Sequence, residues 1–151
     1  MTVENNRTDN ESQIRSLREK LTTALRAKDA DGVVSHFAPE TVMFVLAPPL
    51  QYKTGENAPG LQGIKEWFDS FAGEIDYEVR ELQITAGETV AFCHSLNRVS
   101  GTNSDDGEKT DIWIRETLGL RKIDGEWKIA HQHQSVPFYM DSIKAAIDLK
   151  P

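Results

Sequence analysis

The stretch from Thr110 to Phe138, TDIWIRETLGLRKIDGEWKIAHQHQSVPF, limits most strongly what this chain can fold into. Ile112, Ile114, Leu118 and Leu120 alternate with Trp113, Arg115, Thr117 and Gly119. After Asp124-Gly125, residues Trp127, Ile129, His131 and His133 alternate with Lys128, Ala130, Gln132 and Gln134. A period of two marks a strand whose faces meet different surroundings. Asp-Gly is a turn signal because glycine tolerates positive φ. Pro137 ends the second strand, since it has no N–H to give to a ladder. The stretch therefore reads as a β-hairpin.

The turn sets which residues share a face. A three-residue loop, Ile123-Asp124-Gly125, pairs Lys122 with Glu126 and places Arg115 opposite His133. Glu116, Leu118, Gln132 and Gln134 then share the other face. A two-residue Asp124-Gly125 loop shifts the pairing by one and sets Glu116 opposite His133. The three-residue loop is favoured, because a type I turn with a glycine bulge fits x-Asp-Gly. It leaves the histidines on the face away from Glu116.

Upstream, residues 1–10 read as a flexible N-terminal arm, and residues 11–151 as a single domain. Thr8 to Glu11 resembles a capping box that opens a helix to about Lys28. Ile14, Leu17, Leu21 and Leu25 form its apolar face. A second, short helix begins at Asp29, holds Val33, Val34 and Phe37, and is closed by Pro39. Residues 41–46 read as a strand and 47–63 as a loop or irregular hairpin. A third helix covers about 63–72, with Trp67 in its apolar stripe. Strands follow over 77–85 and 89–101, and 141–149 reads as a C-terminal helix. Helices first and antiparallel strands afterwards describe an α+β domain, with helices on one face of a curved sheet.

Composition narrows the function. The 151 residues carry a formal net charge of -7, which argues against nucleic acid or an anionic membrane as partner. Cys93 is the single cysteine, so the chain has no internal disulfide and no cysteine-based zinc motif. Mid-strand, it reads as a small buried apolar residue. No apolar run approaches the about 20 residues of a membrane span. The polar start, MTVENNRTDN, does not read as a signal peptide, so the expected location is cytoplasmic.

Two segments carry a family resemblance. One is Ala24 to Val42, ALRAKDADGVVSHFAPETV; the other is Asp124 to Ser135, DGEWKIAHQHQS. With them, the chain resembles the nuclear transport factor 2-like superfamily over about residues 14–137. The superfamily includes ketosteroid isomerase, SnoaL-type cyclases and the association domain of calcium/calmodulin-dependent protein kinase II. The resemblance implies a cone-shaped domain, a pocket between the helices and the concave sheet, and a homodimer. It does not imply ketosteroid isomerisation. The position of that enzyme's general-base aspartate falls at or near Phe44, and that of its oxyanion-hole tyrosine at about Leu21. The position of its second acid falls at Leu118, with Glu116 the nearest carboxyl. The kinase association domain has pocket arginines; one position is near Arg98, and two others match about Leu118 and Gln134.

Candidate chemistry collects on two strands. His94 and Arg98 share a face with Phe92 and Leu96, and Glu116 is the obvious partner for Arg98. As a site, His94 and Glu116 would exchange protons and Arg98 would bind an anion. Tyr52, Trp67, Gln134 and Phe44 are candidates to line the pocket. Trp113, Arg115, His131 and His133 form a second cluster, expected to face a dimer partner. The expected function is a dimeric small-molecule-binding domain with a largely apolar pocket, its ligand an acid or carbonyl compound. Its enzymatic form would be an isomerase, lyase or cyclase. The alternatives are a non-catalytic association module and a metal-dependent enzyme built on His131 and His133. The residues call for no cofactor, and the histidine pair lacks a spaced third metal ligand.

Overall fold

The structure, a computed structural model, describes residues 2–151. Helix α1 spans Val3–Arg26 and helix α2 spans Ala30–Val34. Strand β1 is Phe37–Phe44, β2 is Tyr52–Lys53, and helix α3 is Gly60–Asp69. The long strands follow: β3 (Phe71–Ala86), β4 (Val90–Asn103), β5 (Lys109–Ile123) and β6 (Glu126–Ser135). A two-stranded ribbon of β7 (Phe138–Tyr139) and β8 (Lys144–Ala145) ends the fold. The main sheet runs β2-β1-β6-β5-β4-β3, antiparallel except for the β1–β6 pair. The class is α+β, as the order of elements predicts.

Helix α1 is the core's other half. Ile14, Leu17, Leu21 and Ala24 are buried along it against Ile75, Leu118, Leu120 and Ile129 of the sheet. Each such aliphatic side chain contributes about 1.5–3 kcal/mol when fully buried. The helix begins earlier than Thr8, so no arm spans residues 3–10. Thr2 is the N-cap, its Oγ1 accepting from the Asn5 N–H at 3.2 Å. Thr8 lies inside the helix and donates its hydroxyl to the Glu4 carbonyl. Either threonine has the chemistry of a cap; tertiary support decides, because Asn10 is buried and docked on the sheet. Its Oδ1 accepts from Lys122 Nζ (2.9 Å) and Trp127 Nε1 (3.3 Å), and its Nδ2 donates to the Gly87 carbonyl (3.1 Å).

Other expected boundaries also move. Phe37 and Pro39 belong to β1, not to the second helix. The β1–β6 ladder is irregular between Phe37 and Val42, and this irregularity accommodates the proline. Strand β3 starts at Phe71, six residues before the predicted Tyr77, and no helix forms over 141–149. Ile143 there takes a left-handed φ of 55°, and the segment turns back as β8.

The hairpin at 110–138 settles the question of register. Its loop is the two-residue Asp124-Gly125, with φ of 50° and 81°, and Ile123 pairs with Glu126. The favoured three-residue loop is therefore corrected: both turn residues adopt positive φ, the type I′ geometry. A bulge then intervenes. Leu120 pairs with Ile129 but Gly119 with His131, which leaves Ala130 unpaired. Beyond the bulge Glu116 opposes Gln134 and Thr117 opposes His133. One extra residue restores the face assignment that the three-residue loop would have given.

Asn10→Ala should lower stability by about 1–3 kcal/mol, because it strands the Trp127 indole N–H and the Gly87 carbonyl. Urea unfolding at equilibrium measures this; an unchanged midpoint would show that the helix start is not anchored there.

Candidate ligand site

Strand β4 decides which side chains meet the helices. Ala91, Cys93, Ser95, Asn97 and Val99 are buried against α1, while Phe92 and His94 are exposed and Leu96 and Arg98 half-buried on the opposite face. The expectation that His94 and Arg98 face the pocket with Glu116 is therefore corrected: theirs is the outer face. The smaller set goes inward because Asn97 has partners there. His94 and Arg98 consequently do not meet Glu116. Arg98 makes a bidentate ion pair with Asp111, Nε to Oδ1 and Nη2 to Oδ2, both 2.7 Å. Hydrogen bonding to Arg98 holds the Asp111 carboxyl below its usual range.

The cation facing Glu116 is Arg18 of α1. Ile14, Arg18, Leu21 and Leu25 are spaced i, i+4, i+7 and i+11, so Arg18 lies on the buried stripe. This spacing was visible in the sequence, and the charge concealed it. Arg18 Nη2 lies 3.3 Å from Glu116 Oε1, and both side chains are 2% exposed. Asn97 Nδ2 donates to the same oxygen at 3.0 Å and to Tyr77 Oη at 2.9 Å. Gln132 and Gln134 donate to Glu116 Oε2 at 3.1 and 3.0 Å. Ser95 donates to Asn97 Oδ1 at 2.7 Å. Three N–H donors and the Arg18 charge thus converge on one carboxylate, as suits an ionised acid. Arg18 Nη1 reaches Thr22 Oγ1, whereas the buried Arg18 Nε has no acceptor. Burial, then the charge of Glu116, pushes the Tyr77 phenol above its ordinary range. Burial likewise pushes the Cys93 thiol up to about 11, consistent with an inert core residue.

The cluster grades outward. Arg18, Asn97 and Glu116 are fully buried, but Gln132 and Gln134 are only half-buried. Met43, which pairs with Gln132, continues the helix-facing side towards the sheet edge, where it also pairs with Tyr52. Tyr52 is half-buried and donates its hydroxyl to the Pro48 carbonyl at 3.3 Å. Trp67 is half-buried on α3, packed edge-on against Phe71 with centroids 5.3 Å apart.

The remaining candidates lie on the outer face. Phe44 sits edge-on to His131 and His133, at centroid distances of 4.9 and 5.2 Å, and so does not line the helix side. The His131 Nδ1–H donates to the Val42 carbonyl at 2.7 Å, which fixes the tautomer. Trp113 lies under the Arg80 guanidinium at 4.9 Å, and Arg115 Nε donates to Ser135 Oγ at 3.1 Å. Among the described residues, no three His, Cys, Asp or Glu side chains come together as a metal site. No helix there is long and apolar enough to cross a membrane.

This arrangement of helices on a curved sheet matches known proteins. The family model for the SnoaL-like domain matches residues 14–139. The chain belongs to the SnoaL-like family. An NTF2-like protein of unknown function from Pseudomonas putida KT2440 is 32% identical, with a TM-score of 0.83, over 95% of this chain and 98% of that one. A Novosphingobium aromaticivorans structure provisionally described as a scytalone dehydratase shares the SnoaL-like fold at TM-score 0.75. It is 13% identical, over 98% of this chain and 99% of that one. A ketosteroid isomerase-like protein from Erwinia carotovora atroseptica SCRI1043 has TM-score 0.64 and 22% identity, over 82% and 93%. No curated protein matches.

Removing one partner of the buried pair should be costly. Arg18→Met is expected to destabilise by about 3–5 kcal/mol, because it leaves Glu116 buried and uncompensated. Arg98→Met should leave the unfolding midpoint near that of wild type, since its pair is solvated. Thermal melts of both variants test the contrast; equal losses would contradict it.

Proposed function

We propose that this SnoaL-like domain binds a neutral, largely apolar small molecule bearing hydroxyl or carbonyl groups, on the helix side of the sheet next to Gln132 and Gln134. The observation that carries this reading is the pair of half-buried carboxamides tethered to Glu116. Each commits one N–H to the carboxylate and keeps its Oε1 and a second N–H for another partner. That set complements a hydroxyl or carbonyl. A carboxylate ligand would meet the Glu116 charge close by, so the acid half of the sequence expectation loses support. Aromatic and aliphatic side chains of α3 (Leu61, Ile64, Trp67) and Ile112 supply half-buried apolar surface on the same side of the sheet. The structure provisionally described as a scytalone dehydratase is consistent with such a ligand class.

Within this proposal Glu116 is an electrostatic post that orients the carboxamides. Proton abstraction by it would work against the Arg18 charge and the three N–H groups that stabilise the carboxylate, so binding is the stronger reading than acid–base catalysis. The expected readout is thermal stabilisation of the wild type by members of a panel of phenolic and hydroxy-carbonyl compounds. Gln134→Leu should abolish that shift; an equal shift in both proteins would refute the site.

A second reading, an association module, is favoured by the outer sheet face. Phe92 is 48% exposed there, beside half-buried Leu96, Trp113 and Phe44 and exposed His94 and His133. Arg98 is occupied by Asp111 and so is not available to anchor a ligand on that face. Pairing two such faces across a two-fold axis would cover the apolar surface. The two readings are compatible as a ligand-binding homodimer. Sedimentation equilibrium should give a dimer at micromolar concentration and a monomer for Phe92→Asp; a monomeric wild type would count against the interface.

A further inference from the structure

A groove outside the cone has a different chemistry. It has a volume of about 490 Å³ and runs between α1 and the β5–β6 turn. One wall is Ser12, Ser16 and Lys20, spaced i, i+4 and i+8 and so on one face of α1. The opposite wall is His36 and Lys128. An adjoining groove, also of about 490 Å³, shares Ser16, Lys20 and His36.

The donors along α1 are unspent. Thr8, Thr22 and Thr23 each donate their hydroxyl to the carbonyl four residues back. Ser12 and Ser16 make no such bond, and Lys20 has no ion-pair partner among the described residues. Lys128 donates to the Ser35 carbonyl at 2.8 Å and lies 3.4 Å from Glu126, the one acidic residue of the first groove. Glu19 and Asp29 border only the adjoining groove, and Asp29 is spent capping α2. Lys20 therefore faces the groove without an ion-pair partner among the described residues, and Lys128 adds a charge that Glu126 partly offsets, in a chain of net charge -7. The local potential registers on His36: its pKa is lowered by burial first, then by Lys128 and Lys20.

We propose that this groove is an oxyanion site that takes a phosphate group, held by the Lys20 ammonium, the Ser12 and Ser16 hydroxyls and the His36 imidazole, with Lys128 adding charge. A phosphate dianion accepts several hydrogen bonds at once and gains most where ammonium groups supply them. Its charge also relieves the repulsion that Lys20 and Lys128 impose on a protonated His36. Binding and imidazolium formation are thus linked with a definite sign: bound phosphate raises the His36 pKa, and protonation of His36 tightens phosphate. The site is independent of the Gln132–Gln134 region, which lies between the helices and the sheet.

The test is an NMR titration of the His36 ring against pH, in sodium chloride and in inorganic phosphate at matched ionic strength. In chloride, His36 should titrate below an ordinary histidine; in phosphate, its midpoint should move upward. Lys20→Ala should raise the chloride midpoint by removing a repelling charge. It should also weaken phosphate binding by about tenfold, the loss of one charge-assisted hydrogen bond. Lys65→Ala, a change on the exposed side of α3, should leave both midpoints as in wild type. The proposal fails if phosphate and chloride give the same His36 midpoint, or if Lys20→Ala and Lys65→Ala respond alike.

Discussion

The buried pair of Arg18 and Glu116 is the contact on which the packing of α1 depends. Taking two charges out of water is expensive, and the attraction between them repays the cost only when further hydrogen bonds complete the set. Here Asn97, Gln132 and Gln134 complete it around Glu116, while Thr22 and Tyr77 engage Arg18. A well-packed apolar pair could be as stable, so stability alone does not account for the charges. They do select one rotation and one axial position of the helix. Asn10 holds the same helix at one end, and Arg26 Nε donates to the Tyr77 carbonyl at 2.8 Å at the other. Sixteen residues separate Asn10 from Arg26, about 24 Å of helix. Leucines along that length would tolerate a small slide; three polar anchors do not.

The sheet then works as a partition. Side chains on alternate positions of β4, β5 and β6 belong to two unrelated environments. The inner set on β4 is small or polar, and its Asn97 donates to Glu116. The outer set is larger and more apolar, with Phe92, Leu96 and Trp113, although it faces away from the helices. Apolar character therefore fails here as a guide to which side is interior. Many apolar atoms remain at the surface of any folded chain, so the inward set is decided by which side chains find partners there.

Much of the fold was legible because its elements are long and strongly periodic. The hairpin and the helical stripe of Ile14, Leu17 and Leu21 follow local rules that tertiary contacts do not reverse. The misjudged elements had local signals in competition. Pro39 and Phe37 read as the end of a helix, yet pairing with β6 captured them. Ile143, Ala146 and Ile147 have helical spacing, but the turn at Ile143 sends the chain back on itself. The candidate site was legible in its carboxylate, Glu116, and one carboxamide, Gln134. Its cation was not, because a charged residue such as Arg18 hides its membership of the buried stripe that its spacing alone would assign. Arg98 drew attention as a cation on an apolar face; the face was the outer one, and Asp111 was its partner.

The unpaired Ala130 has a consequence for how relatives of this chain are compared. Upstream of it the two-residue turn sets one parity of side chains, and downstream the bulge sets the other. If that residue were kept but the ladder ran on without the bulge, His131 would pair with Leu118, so that His131 and His133 pointed towards the helices and Gln132 and Gln134 outwards. Two hairpins of equal length, one bulged and one regular, would thus present opposite side chains to the helices, whereas a regular hairpin one residue shorter would present the same ones. Where an alignment puts a gap is therefore a statement about pairing, and residue-by-residue transfer of function across the hairpin holds only between positions that pair with the same residue of the neighbouring strand.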